Sequence, residues 1–308
     1  MHANKNGVCG VIVIGSRGSQ LALWQARHIA ARLAELDVRT RIEVIKTTGD
    51  KITDVPLSQV GGKGLFTKEI EDALLDGSID LAVHSLKDMP TELPAGLTLS
   101  AIPPREDPRD ALIGRPLAEL KNGSRVGTSS LRRAAQLRAV GVGIVTESLR
   151  GNVDTRLRKL DEGQYDAIVL AAAGLRRLGW EDRIREMLPV EIMCPAVGQG
   201  ALAIETRNDG GPAQEVVRKL DHAETRTAVT AERALLAALG GGCQVPIGAH
   251  AHLEGPAIHL RAIVISPNGA RVVRGELRGG DPASVGAALG EQLLSEGARE
   301  ILKEVYAT

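Results

Sequence analysis

The chain has 308 residues, 43% of them hydrophobic and 25% charged, and its 38 basic side chains balance 38 acidic ones. That length and apolar content suffice for two or three cored domains. The charge balance excludes a whole-molecule field for a polyanion such as nucleic acid, and the 2% aromatic content removes the stacking platforms of single-strand binders.

Residues 11–14 are a short apolar run ending in Gly15-Ser16-Arg17-Gly18-Ser19, after which Ala22, Ala26, Ile29, Leu33 and Leu36 recur at helical spacing: strand, glycine-rich turn, helix. A strand over 41–46 follows, then a polar, glycine-rich stretch from 47 to 64 with too little periodicity for regular structure. A helix is predicted over 67–75, closed by Gly77, and a buried strand over 79–83. This alternation predicts a mainly parallel α/β sheet. Pro103-Pro104-Arg105-Glu106-Asp107-Pro108 reads as a crossover linker. A second α/β run begins beyond it, with strands over 125–127, 144–147 and 167–170 and helices over 130–139, 152–162 and 172–178. Two lobes of similar construction are therefore expected around a hinge. A strand over 201–205 and a helix over 212–220 come next, and periodicity alone does not assign that strand to either lobe. A long helix over 224–239, strands over 247–253, 258–266 and 271–277 with Asn268-Gly269 as a hairpin signal, and helices over 283–296 and 298–305 make a small α+β third domain.

The three cysteines, Cys9, Cys194 and Cys243, form neither a disulfide framework nor a metal-ligand spacing. The first residues lack an apolar signal core and no apolar run reaches membrane-spanning length, so a cytoplasmic protein without a membrane partner is expected. Arginine outnumbers lysine by roughly three to one, which favours planar, bidentate recognition of oxyanions. Arginines crowd into Gly127-Thr128-Ser129-Ser130-Leu131-Arg132-Arg133 and Leu149-Arg150-Gly151-Asn152-Val153-Asp154-Thr155-Arg156, each a loop running into a helix. Free backbone N–H groups, hydroxyls and guanidinium forks there suit a small ligand with several carboxylates or phosphates. Arg17 and Ser19 occupy a similar helix start. Arg138, Arg158, Arg183, Arg185 and Arg218 read as solvated helix faces.

His84-Ser85-Leu86-Lys87-Asp88-Met89-Pro90 follows an apolar strand, at the sheet end where open α/β folds place ligands. Asp88 is either a turn aspartate before proline or a carboxylate facing a cation, and His84 a structural strand-end histidine. Gly61-Gly62-Lys63-Gly64-Leu65-Phe66 lacks the spacing of a nucleotide-binding loop. Cys243 lies between glycines and Gln244-Val245-Pro246, either as an accessible thiol or as a buried structural one; Cys9 and Cys194 have no such setting.

These segments, together with Leu21-Ala22-Leu23-Trp24-Gln25-Ala26, Thr48-Gly49-Asp50, Arg105-Glu106-Asp107-Pro108-Arg109-Asp110, Pro195-Ala196-Val197-Gly198-Gln199-Gly200 and Gly241-Gly242-Cys243-Gln244-Val245-Pro246, resemble the porphobilinogen deaminase (hydroxymethylbilane synthase) family from about residue 10 to the C-terminus. The resemblance implies two lobes similar to type 2 periplasmic binding proteins plus a small α+β C-terminal domain. Their bounds would be 8–103 with 201–220, 104–200, and 221–308, the returning segment completing the first lobe. It implies a transferase that joins four porphobilinogen molecules head to tail, losing ammonia each time, and hydrolytically releases hydroxymethylbilane. It further implies a dipyrromethane cofactor held by a thioether to Cys243, Asp88 as the catalytic carboxylate, and a monomer. Arg17, Ser19, Lys63, Ser85, Lys87, Thr128, Ser130, Arg132, Arg133, Arg150, Arg156 and Arg177 match positions that bind cofactor or substrate carboxylates. The stretch 47–64 matches a mobile lid, with Asp50 and Phe66 in or near it and no metal implied. Gln59 departs from the basic residue of some relatives, and the residues before Val11 match none of the motifs. The rival readings are a noncatalytic two-lobed anion-binding protein and a cysteine-nucleophile hydrolase, for which no histidine partner motif is evident.

Overall fold

The computed structural model describes residues 10–51, 67–241 and 245–306. The chain forms two compact units, residues 1–105 with 201–225 and residues 106–200 with 226–308, so the backbone crosses between them three times.

In the first unit β1 (Ile12–Ser16) is an apolar run with little exposure on either face, as a central parallel strand requires. Helix α1 (Gln20–Ala34) starts at Ser19, whose hydroxyl accepts from the Ala22 N–H at 3.3 Å, and it buries Ala26, Ile29 and Leu33. β2 (Thr40–Val44), the single helical turn α2 (Thr48–Lys51), α3 (Lys68–Leu75), β3 (Leu81–Ser85) and β4 (Leu97–Ala101) follow. The returning segment adds β10 (Leu202–Arg207) and α7 (Pro212–Val217), which opens with proline where its missing N–H costs nothing. The sheet order is β2-β1-β3-β10-β4. β2, β1 and β3 are parallel, and β10 runs against both of its neighbours. The core between this sheet and its helices is built from Ile14, Ile29, Leu33, Leu81, Ile204 and Val217.

The second unit opens with β5 (Asp110–Gly114), β6 (Arg125–Gly127), α4 (Leu131–Ala139), β7 (Val145–Glu147), α5 (Val153–Asp161), β8 (Ala167–Ala171), α6 (Ala172–Arg177) and β9 (Glu186–Met187), in the order β7-β6-β8-β5-β9. β7, β6 and β8 are parallel, and β5 opposes β8 and β9. The two sheets thus share one plan: each holds a single reversed strand second from an edge, and that strand enters directly after a crossing between units. Beyond α8 (Ala223–Ala238), β11 (Ile247–Glu254), β12 (Ala257–Ile265) and β13 (Val272–Gly279) form an antiparallel sheet, followed by α9 (Pro282–Leu293) and α10 (Arg299–Tyr306). Leu235, Leu239, Ala249, Leu260, Leu289 and Leu293 fill its core. The Asn268-Gly269 hairpin forms: Gly269 has φ +77°, and Asn268 Oδ1 accepts the Ala270 N–H at 3.0 Å.

The expected mixed α/β architecture, two largely parallel sheets and a small antiparallel one, is therefore present. β4, β5 and β9 were not anticipated. Each is a short run whose place is fixed by pairing with a strand distant in sequence, which local periodicity does not record. In the stretch expected to be irregular, Thr48–Lys51 is a helical turn, while 52–64 lies outside the described residues.

Candidate active site

In the first unit the loops after β1 and β3 emerge at one edge, because these strands are adjacent and parallel. The first loop carries Arg17 and Ser19, and the second carries Ser85, Lys87 and Asp88 on a 3₁₀ turn, Leu86–Asp88. Gln25, 3% exposed on α1, ties that helix to the second loop by donating from Nε2 to Ser85 Oγ at 3.0 Å. The motif contained Gln25, but nothing local marked it as a positioning residue. Asp88 is exposed, and its carboxylate makes no hydrogen bond or ion pair among the described residues. His84 is buried with Nε2 3.0 Å from Glu205, a structural pair as expected. Lys63 and Phe66 lie outside the described residues, as does the side chain of Asp50, whose backbone belongs to α2.

The second unit repeats the arrangement. Thr128 and Ser130 follow β6, Arg150 follows β7, and these strands are parallel neighbours. Ser130 caps α4 by accepting from the Arg133 N–H at 3.4 Å, and Thr128 Oγ1 accepts from the Ser130 N–H at 3.2 Å. Ser129, which the sequence did not single out, joins the two loops: its hydroxyl accepts from Leu149 N–H at 3.0 Å and donates to Leu149 O at 2.8 Å. Arg150 is half-buried, and Arg156, in the first turn of α5, donates from Nε to Gly151 O at 2.8 Å. Arg177 is 9% exposed and donates to Gly200 O at 2.6 Å, bracing one crossing segment. Burial pushes its pKa down to about 10, with Glu106 opposing, so it remains charged at neutral pH.

The arginine pair at the start of α4 is held from within the chain. Arg132 and Arg133 do not simply open onto a ligand: they are 4% and 7% exposed and grip Asp110, which is fully buried. Arg132 donates to Asp110 Oδ2 at 2.8 Å and Cys194 O at 2.6 Å; Arg133 donates to Asp110 Oδ1 at 2.7 Å and Val169 O at 3.1 Å. Gln199 Nε2 adds a bond to Asp110 Oδ1 at 2.9 Å. Burial alone would raise the Asp110 pKa, but the two guanidiniums overturn it and hold the carboxyl well below the usual carboxylate range. Each guanidinium thus faces a buried acid of its own chain, a partner that the local sequence did not reveal. Arg138 is likewise more than a solvated residue, since its guanidinium donates to Pro267 O and Thr146 Oγ1, both at 2.5 Å.

Asp110→Asn leaves two buried guanidiniums without a counter-charge, so we expect a loss of about 3–5 kcal/mol in unfolding free energy at pH 7. The depressed native pKa sets the pH dependence: this stabilisation is present above the unfolded value of about 3.9 and is lost as pH falls below it toward the native value. The parent and variant urea midpoints should differ by a constant amount from pH 8 to 5 and converge only in stronger acid. Equal midpoints at pH 7 would contradict this assignment.

Residues 242–244, Cys243 among them, lie outside the described residues, which end at Gly241 and resume at Val245. α8 ends in a Schellman cap: Gly240, at φ +64°, donates to Ala237 O at 2.9 Å and Gly241 to Leu236 O at 3.1 Å. A Cβ at Gly241 would come within 2.7 Å of the Ile247 terminal methyl and 2.8 Å of a Leu236 methyl, so a larger residue there would displace those side chains. Cys194, by contrast, is buried, and burial pushes its thiol up to about 12, far from the thiolate.

A family model described as porphobilinogen deaminase, dipyromethane cofactor binding domain, matches residues 12–215, and one for the porphobilinogen deaminase C-terminal domain matches 226–295. The chain belongs to the porphobilinogen deaminase family. The porphobilinogen deaminase of Syntrophobacter fumaroxidans is 52% identical over 304 residues, covering 96% of this chain and 98% of that protein. That of Geobacter metallireducens is 52% identical over 299 residues, covering 95% and 94%. A periplasmic substrate-binding protein of an ABC transporter from Coxiella burnetii, a solved structure, is 12% identical with a TM-score of 0.43, covering 72% of this chain and 97% of that one. Membership carries with it porphobilinogen as substrate, a dipyrromethane cofactor and tetrapyrrole biosynthesis. Among the described residues no helix is long and apolar enough to cross a membrane.

Proposed function

We propose that the chain polymerises four porphobilinogen molecules head to tail and releases hydroxymethylbilane by hydrolysis, with Asp88 as the catalytic carboxylate. The observation that carries the reading is the uncommitted state of Asp88. Asp110 is held by two arginines, Asp107 by Arg109 at 2.7 Å, and Glu106 by Arg176 at 2.7 Å. Asp88 alone among these acids keeps both oxygens available at the carboxyl end of a sheet. Departure of ammonia leaves positive charge on the substrate ring, and a preorganised carboxylate stabilises that charge where it develops. The same group accepts and returns protons as carbon–carbon bonds form.

Every pyrrole of the substrate brings an acetate and a propionate, and the donor set fits such a polycarboxylate. Arg17, Ser19, Lys63, Ser85 and Lys87 in the first unit and Thr128, Ser130, Arg150, Arg156 and Arg177 in the second supply guanidinium, ammonium and hydroxyl donors. Arg132 and Arg133 contribute positive potential at the first turn of α4 while anchoring it to Asp110. We assign the thioether to Cys243; the dipyrromethane bound there supplies the primer on which the chain grows. Residues 47–64, with Asp50 and Phe66 in or near the segment, act as a lid. The domains run 8–103 with 201–220, 104–200, and 221–308, in a cytoplasmic monomer.

Intact-mass measurement of the purified protein tests the reading. The expected mass exceeds that of the polypeptide by a dipyrromethane, and a ladder of further pyrrole steps appears when porphobilinogen is added. A protein of bare polypeptide mass that stays unmodified under substrate would overturn it.

A further inference from the structure

The polar face of the C-terminal sheet carries a histidine cluster for which pyrrole chemistry has no use. Strand alternation puts His252 and Glu254 of β11 on that face, beside His259 of β12 and Glu276 and Arg278 of β13. His252 and His259 are direct cross-strand partners with ring centroids 5.1 Å apart. His259 is only 7% exposed, and its Nε2 lies 2.7 Å from Glu276 Oε2. A carboxylate only accepts, so Nε2 carries a hydrogen toward Glu276, and Nδ1 is the ring nitrogen left to face another group. That nitrogen is buried and forms no hydrogen bond, yet it sits 3.3 Å from Glu254 Oε1. His252 Nε2 is 3.2 Å from the same oxygen. A nitrogen and a carboxylate oxygen at this separation share a cation between them, either a proton on Nδ1 or a metal ion.

We propose that His252 Nε2, His259 Nδ1 and Glu254 Oε1 form a binding site for a divalent transition-metal ion, zinc foremost. Two imidazoles and a carboxylate are a donor set such ions favour. A tetrahedral ion with bonds of about 2.0–2.2 Å holds its donors roughly 3.3 Å apart, which both measured separations match. All three donor atoms lie within 4.8 Å of one another, and the exposed His252 ring closes the remaining gap by rotation. The surroundings supply outer-shell support: Glu276 orients His259, and Arg278 holds the Glu254 carboxylate, 3.1 Å from Oε2 and 3.5 Å from Oε1. Bound there, the ion clips β11 to β12.

Chelator-treated holoenzyme, dialysed against zinc chloride at neutral pH, should take up one ion per chain at this site, with a higher thermal midpoint. Glu276→Gln should weaken uptake about 10- to 100-fold, and His252→Ala should weaken it further while leaving turnover unchanged, since His252 is exposed and outside the catalytic set. Copper(II) in place of zinc should show nitrogen hyperfine coupling that His252→Ala reduces. No saturable uptake, or uptake that His252→Ala leaves intact, would overturn the site.

Discussion

Asp88→Asn is expected to fold like the parent, carry the cofactor, and lose turnover by about 10²–10³-fold or more. The folding half of the expectation rests on exposure: the Asp88 carboxylate bonds to nothing among the described residues, so exchanging it for an amide removes no native contact. The catalytic half rests on charge. An amide matches the shape of the carboxylate but cannot balance a cation developing on a ring, nor take a proton from one. Asp88→Glu keeps the charge on a longer arm and should recover part of the rate. The measurement is hydroxymethylbilane formation in single turnover beside the thermal midpoint. A rate within twofold of the parent would remove Asp88 from the chemistry and leave it as a turn residue before Met89 and Pro90.

The elements that could be read from sequence are those whose signals are local. Ser19 and Ser130 were legible as helix starts because a capping hydroxyl acts within three residues. Asn268-Gly269 was legible because the turn chemistry sits in the pair itself. β5 was not, because its neighbours are β8 and β9, more than fifty residues on, and nothing in Asp110-Ala111-Leu112-Ile113-Gly114 names them. One sign was available: aspartate is disfavoured in strands, so an acid opening an apolar run after a proline linker marks a site where burial has a partner. That partner is the arginine pair at the start of α4. The candidate site divides along the same line. Which loops bear arginine, hydroxyl and carboxylate is written in the motifs, whereas which acids are already neutralised is decided only when distant strands meet. Asp88 stands out because Asp107, Asp110 and Glu106 are paired, a contrast visible only in the folded chain.

Cys243→Ser should yield a folded protein whose intact mass is that of the polypeptide alone and which forms no hydroxymethylbilane. Sulfur chemistry separates the candidates. A thioether forms through a thiolate, and Cys194 is sealed where burial holds its thiol near 12, its backbone occupied by Gln136 and Arg132. The Schellman cap ending α8 closes at Gly241, and Val245 and Pro246 lead into β11, with Pro246 O accepting from the Ile265 N–H at 3.2 Å. The packing of these described segments does not involve the thiol, so the serine variant should keep the parent's thermal midpoint apart from what the cofactor contributes by binding the folded state. Peptide mapping of the parent should then find the adduct on the peptide containing Cys243, and native alkylation should spare Cys194. An adduct that persists in Cys243→Ser would move the tether to another cysteine and break the link between this turn and catalysis.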